Sequence, residues 1–286
     1  MTQPSNLKGA LLGLLAMGLF AVSDIGVKFL GGGYHPFQII FFAGVLSLPL
    51  VVLHIMADPA GGRLRPEQPR LMALRSFIVV LNGIAGTFAF ASLPLAEAYA
   101  IFFTMPIFIT VLSALALKEP IDLLRGVAVV AGLLGVIVAL DPGQVSLRWG
   151  HAAALAAAIL GAANYVIIRF SGGAERTIVL ILYPMMAQLI VATLALPFVY
   201  RAMPFADLAV TGAMALAAFA GYFAIIAAYR RAPGIVVAPM QYSQIIWAAV
   251  FGALLFDEVM SLQTILGTAI IILAGLVIVA RQQKAG

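Results

Sequence analysis

The sequence predicts an all-α integral membrane protein of ten transmembrane helices, built as two inverted five-helix repeats. Three observations predict it. First, the 286 residues are 64% hydrophobic and only 9% charged, with a mean hydropathy of +1.12, whereas soluble domains carry about 25% charged residues. Such a chain cannot cover itself with a polar surface, so lipid has to be its solvent. Second, ten apolar runs approach the length of about 20 residues that a bilayer crossing needs. Third, the second half of the chain repeats the first.

The runs lie at about 8–30, 36–57, 72–93, 96–117, 123–140, 150–170, 178–200, 207–229, 234–256 and 261–281. The first follows "MTQPSNLKG" and continues to Leu30. It is too long for the apolar core of a signal peptide and contains no small-residue cleavage pattern, so it is read as a retained first span. Gly, Pro and charge separate the others: "GGGYHP", "LPLAE", "KEPID", "DPGQ", "SGGAER", "YRAMPFAD", "RRAPG" and "DEVMS". The longest connection, Asp58 to Arg70, is polar and rich in Pro and Gly. No soluble domain is present in this reading.

Lys and Arg set the orientation of such a bundle. With both termini in the cytoplasm, the inner ends hold Lys8, Arg63, Arg65, Arg70, Arg75, Lys118, Arg125, Arg169, Arg176, Arg230, Arg231, Arg281 and Lys284. The outer ends hold Lys28, Arg148 and Arg201. This asymmetry accounts for the net charge of +5 without a nucleic-acid partner. There is no cysteine, hence no disulfide, cysteine metal site or thiol nucleophile. His35, His54 and His151 are scattered without metal-ligand spacing, and no serine elbow or phosphate loop occurs. The expectation is a protein that is not an enzyme and has no catalytic residues, metal or cofactor.

The repeat is read from two pairs of segments. "SLPLAEAYAIFFTMPIFITVLSALALKEP", Ser92 to Pro120, matches "RAPGIVVAPMQYSQIIWAAVFGALLFDEV", Arg231 to Val259, at an offset of 139. Pro94 falls on Pro233 and Glu119 on Glu258, and a late glycine follows in each half, Gly135 or Gly275. "KGALLGLLAMGLFAVSDIGVKFL" from Lys8 matches "WGHAAALAAAILGAANYVIIRFS" from Trp149 at an offset of 141, setting Gly9 on Gly150 and Ser23 on Asn164. The repeats are residues 1–145 and 146–286. Five helices is an odd number, so the second repeat enters the membrane inverted. Inverted repeats are a recurring device of secondary transporters, which bind substrate near the midplane between halves.

These features resemble the drug/metabolite transporter superfamily, EamA type. "PLAEAYAIFFTMPIFITVLSALALKE" is the most specific segment, and the resemblance covers essentially the whole chain. Within the family the chain is similar to bacterial aromatic amino acid exporters of the YddG kind. The resemblance implies export from the bacterial inner membrane by alternating access, with proton coupling. The alternative it leaves open is export of drugs or other small amphipathic metabolites. One duplicated chain contains both halves, so a monomer can suffice.

The candidate substrate-binding residues are Asn82, Tyr99, Thr104, Asn164, Tyr222, Ser243, Gln244 and Trp247. Asn82 lies in the middle of its span. "MQYSQIIW" places Ser243, Gln244 and Trp247 at mid-membrane depth, opposite "IFFTMPIF" with Thr104, so that Thr104 pairs with Ser243 and Met105 with Gln244. Such a cluster needs partners or water: interhelical hydrogen bonds are one solution, an aqueous cavity the other. No Arg or Lys is read as deep in any span, so the cavity suits a neutral or zwitterionic substrate with an apolar side chain rather than a strong anion. Asp24 interrupts the first span, where an ionisable residue costs about 2.5–3.5 kcal/mol or more. Two readings stand for it: an anchor paired with Lys28 at i+4, or a proton-coupling or ammonium-binding carboxylate. Pro94, Pro106, Pro184, Pro233 and Pro239 are candidate hinges, with Pro106, Pro184 and Pro239 bending their spans.

Overall fold

The computed structural model describes residues 6–56, 64–117, 123–140, 148–171, 175–232 and 234–282. Among them every regular element is a helix. In lipid a helix satisfies its own backbone donors and acceptors, which an open strand cannot do. The elements are α1 (Asn6–Gly31), α2 (Pro36–Met56), α3 (Pro69–Ser92), α4 (Leu95–Phe102), α5 (Met105–Leu117), α6 (Leu123–Leu140), α7 (Trp149–Phe170), α8 (Thr177–Val199), α9 (Phe205–Arg231), α10 (Gly234–Val237), α11 (Gln244–Phe256) and α12 (Leu262–Gln282). A 3-10 segment, Ala238–Ser243, joins α10 to α11. Among the described residues eight stretches are long and apolar enough to cross a membrane, and α6 and α12 carry two shorter apolar stretches. Together they supply the ten crossings expected, with α4 and α5 forming the fourth and α10 to α11 the ninth.

Packing is antiparallel and close. α1 lies along α9, α3 along α7, α2 along α8, and α6 along α12. Small residues permit it, as at many helix contacts in lipid. A methyl group at Gly9 would collide with Ala232, one at Gly26 with Met214, one at Gly31 with Ala91, and one at Gly150 with Leu93. Between α6 and α12, Gly132 faces Ala274 and Gly135 faces Ile271. Large apolar side chains such as Phe29, Leu115, Leu194 and Phe198 are left on the outside, where lipid replaces the polar solvent of a soluble fold.

Two spans differ from their sequence reading. The runs 96–117 and 234–256 are expected to be continuous, yet each is interrupted. α4 ends at Phe102, Phe103 and Thr104 form a turn, and α5 opens at Met105. In the second half the tighter 3-10 segment takes over from Ala238 and α11 opens at Gln244. Pro106 has no N–H to bond back into α4 and sits in the first helical turn of α5, where proline is tolerated. Pro239 opens the 3-10 segment. Pro94 caps α4, Pro184 remains inside an unbroken α8, and Pro233 lies outside the described residues.

Candidate functional site

The two interruptions face each other at the centre of the bundle. The α5 and α11 starts, Met105 and Gln244, are separated by the same 139 residues as the repeat. Phe103 and Tyr242, one residue before the last of each interruption, pack edge to face with ring centroids 5.2 Å apart. Thr104 is fully buried, and its hydroxyl donates to the Ile101 carbonyl at 2.6 Å. Its counterpart Ser243 has a buried hydroxyl with no partner, as has Tyr242, whose ring tip lies against Gly275. Buried polar atoms are rarely left unpaired in native structures.

The other candidates fall around this centre. Asn82 donates to the Ala157 carbonyl at 2.8 Å and lies by Gly161, which also touches Met105. Asn164, one turn further along α7, has a buried amide oxygen with no partner. Trp247 stacks on Phe251 at 5.8 Å and packs against Gly18 of α1. Gln244 is half-buried at the α11 start. Tyr99 is buried among Phe90, Phe102 and Phe103 rather than open to a cavity. Tyr222 lies apart from the interruptions, within electrostatic reach of Arg75.

The expected Asp24–Lys28 pair does not form. Asp24 accepts a hydrogen bond from the Tyr99 hydroxyl. Lys28 instead reaches Glu258 at 2.5 Å, donates to the Leu93 carbonyl, and lies 5.2 Å from the centre of the Phe256 ring. The other Glu258 oxygen accepts from the Leu95 N–H at 2.9 Å, satisfying a free donor at the start of α4. A partner in the connection between α11 and α12 ties α1 to distant chain, which an i+4 neighbour on the same helix cannot do. Glu258 is thus an inter-helix tie, and Glu119 lies outside the described residues. At the same end Glu97 meets His151 at 3.3 Å, and Gln38, completely buried, bonds twice to the Arg201 backbone. Tyr34 donates to Asp207 at 2.5 Å, and that carboxylate raises the Tyr34 pKa above its ordinary value.

The opposite end is differently made. Starting at Pro69 rather than 72, α3 carries Arg75 about 9 Å into the helix at 1.5 Å per residue, within the first half of its 24 residues. Arg75 is 8% exposed and donates to the Leu180 carbonyl; its Nε is buried without a partner. It lines a shallow cleft with room for about one water, together with Gln68, Met72, Ser171 and Glu175. Glu175 is equally buried and accepts from the Gln68 N–H at 2.7 Å. Sequence reasoning missed this cleft; "QPR" at 68–70, a proline able to open a helix, was the available signal.

Residues 7–140 match the EamA-like transporter family. Relatives with named activities align over nearly all of the chain. An S-adenosylmethionine uptake transporter of Rickettsia bellii is 24% identical, covering 95% of this chain and 93% of its own. A pseudopaline exporter of Pseudomonas aeruginosa is 27% identical, covering 93% and 94% respectively. One solved crystal structure shares the fold, with a TM-score of 0.66 over 97% of this chain and 99% of that one at 17% identity. With eight helices long and apolar enough to cross a membrane among its described residues, the chain is a multi-pass membrane protein, and these two relatives are named for opposite directions of transport.

Proposed function

We propose that this chain is a secondary transporter that exports α-amino acids with aromatic or other large apolar side chains across a bacterial inner membrane. In this reading two inverted five-helix halves, 1–145 and 146–286, alternate access to a central site. The observation that carries the proposal is the pair of broken spans. Interrupted helices in corresponding positions of two halves are the arrangement in which transporters of inverted-repeat design bind substrate. Swapped contacts support the same symmetry. Gly9 against Ala232 corresponds to Gly150 against Leu93, and Gly132 against Ala274 corresponds to Gly135 against Ile271. A two-fold relation produces such reciprocal pairs.

Around the interruptions, Thr104, Asn164, Ser243 and Gln244 supply neutral polar groups and Trp247 an aromatic face. That set suits a zwitterion with a large side chain. Asn82, Tyr99 and Tyr222 flank it. The end holding Lys28 is tied across helices and the end holding Arg75 has the cleft. With Lys and Arg facing inward, the cleft opens to the cytoplasm, the side from which an exporter loads. A single chain holds both halves, so a monomer can suffice.

Asp24 favours a second reading, an amphipathic cation or other metabolite, because a carboxylate beside aromatic rings attracts positive charge. S-adenosylmethionine, carried by the Rickettsia relatives, joins an α-amino acid to a cationic sulfonium and an aromatic base. Counterflow of radiolabelled L-phenylalanine in proteoliposomes tests the choice, with competition by each amino acid class, S-adenosylmethionine and a cationic drug. Competition by large apolar amino acids alone supports the first reading. Displacement by cations, without uptake of phenylalanine, replaces it with the second.

A further inference from the structure

We infer that Arg75 and Glu175 are the closure of their own end of the bundle, standing apart while the Lys28–Glu258 tie holds and pairing when that tie opens. The inference rests on the alternating-access reading above and is independent of which substrate is carried. The two ends hold like parts. At the Lys28 end a cation donates to a backbone carbonyl, Leu93, and a carboxylate accepts a backbone N–H at the start of a helix, Leu95 of α4. At the other end Arg75 donates to the Leu180 carbonyl, and Glu175 accepts from the Gln68 N–H at 2.7 Å, just before α3. Lys28 and Glu258 close on each other. Arg75 and Glu175 are both buried and line one cleft, yet form no ion pair with each other. The likeness is one of chemistry and not of position in the repeat.

What separates the two is a short movement. Gln68, Met72 and Arg75 lie at i, i+4 and i+7 and line the cleft from one face of α3. Helical side chains lean toward the N-terminus of their helix, a direction that carries Arg75 back toward Gln68 and its partner Glu175. The cleft has room for about one water. That is too little for a ligand, and little enough for a small shift of α3 against the α7–α8 connection to close it. Leu71, Ile167 and Ile168 complete its wall, and in apolar surroundings opposite charges attract more strongly than in water. Held apart, each is a buried charge without a counter-charge, which is unfavourable. The structure therefore balances two ties. With Lys28 and Glu258 paired, the unfavourable separation falls on Arg75 and Glu175; release of the first tie leaves the second free to form.

The chain has no cysteine, so a single Leu71→Cys in the cleft wall reports closure through its rate of alkylation by an impermeant maleimide from the Arg75 face. Glu258→Gln, which releases the other tie, should slow this labelling. Adding Glu175→Gln should reverse the slowing, moving the equilibrium back by about tenfold, the scale of one hydrogen bond between charged groups. Its amide oxygen still accepts from the Gln68 N–H, so only the charge is lost. Arg75→Lys, which keeps the charge, should retain part of the slowing. With Glu258 intact, Glu175→Gln should leave labelling at the wild-type rate and should not lower the unfolding temperature, because the pair is open in that state. Slowing in Glu258→Gln that persists when Glu175→Gln is added overturns the closure while keeping alternating access. An equal effect of Glu175→Gln in both backgrounds also overturns it, because Glu175 is then only a cap on the start of α3. Fast Leu71→Cys labelling in Glu258→Gln, with Ser23→Cys at the Lys28 end newly accessible, overturns closure and alternating access together. The expected pattern in protein that shows no counterflow of any substrate keeps the closure and refutes the transport reading.

Discussion

Glu258→Gln isolates the charge in the tie that joins α1, α4 and the end of α11. The amide oxygen still accepts from Leu95 N–H, so the start of α4 stays capped, but Lys28 loses its counter-charge. A hydrogen bond to a charged group contributes about 1.5–3 kcal/mol. The side chains are 11% and 21% exposed, so the loss lies within that range. It does not reach the roughly 3–5 kcal/mol of a fully orphaned buried charge, because Lys28 keeps the Leu93 carbonyl and the Phe256 ring. About 2 kcal/mol corresponds to about a thirtyfold shift toward an opened Lys28 end, at 1.36 kcal/mol per factor of ten. Glu258→Ala removes the cap as well and adds about 1 kcal/mol. The assay is maleimide labelling of Ser23→Cys, just over one turn deeper on α1 than Lys28, from the Lys28 face. Labelling should rise in Glu258→Gln and further in Glu258→Ala. In a double-mutant cycle, Lys28→Met and Glu258→Gln should be strongly non-additive. Unchanged labelling in both Glu258 variants, or simple additivity with Lys28→Met, refutes the tie as the element that holds this end closed.

The remaining predictions concern the centre and the Lys28 end. Asp24→Asn keeps an acceptor for the Tyr99 hydroxyl and should leave phenylalanine counterflow within about twofold of wild type, while Tyr99→Phe, which leaves the carboxylate without its donor, should cost about 1–3 kcal/mol of stability; thermal unfolding and counterflow measured together separate the two. Ser243→Ala removes a buried hydroxyl that has no partner in this structure, so it should not lower the unfolding temperature, yet should raise the half-saturating phenylalanine concentration by about tenfold if one hydrogen bond to substrate is lost. The Tyr34–Asp207 bond requires the protonated phenol. Since the folded-state pKa is raised above its ordinary value of 10.0, its contribution is present below pH 10 and is lost as pH rises through the raised value; tyrosinate absorbance should appear at lower pH in Asp207→Asn than in wild type.

The crossings could be read from the sequence because lipid imposes one rule on every residue of a span: apolar outside and backbone bonds within. Asn6–Gly31 and Leu123–Leu140 differ from their sequence readings by at most two residues at either end. The interruptions could not be read this way, since Phe103 and Thr104 are as compatible with an apolar run as their neighbours. Only Pro106, placed where a new helix can start, hinted at the restart. The partners of Asp24 and Lys28 were out of reach for a different reason. Spacing on one helix names the local candidate, whereas Tyr99 and Glu258 are brought in by packing across 75 and 230 residues of chain. Arg75 is legible in the sequence only as a cation near the end of a span; its burial comes from packing that brings the Leu180 carbonyl to it across 105 residues of chain.

These differences fall on the same parts of the molecule. The elements that sequence pattern describes well are the lipid-facing crossings, whose requirements are generic. Those it describes poorly are the two interruptions, the Lys28–Glu258 tie and the Arg75 cleft, each of which departs from what a passive span would do. A break in a helix exposes backbone groups that cost several kcal/mol if left unpaired in hydrocarbon, and a charge drawn into a span is unfavourable as well. A bundle selected only to persist in lipid would have neither in both halves. The centre with unpaired Ser243, Tyr242 and Asn164 lies between the tied Lys28 end and the end where Arg75 is buried, and a carrier needs such a centre together with a closure that can be released. The Glu258 and Ser243 variants address the end and the centre separately, and a carrier that works in this way must respond differently to each. Glu258→Gln should change which side is open while sparing recognition at the centre. Ser243→Ala should weaken recognition while leaving the Lys28 end closed.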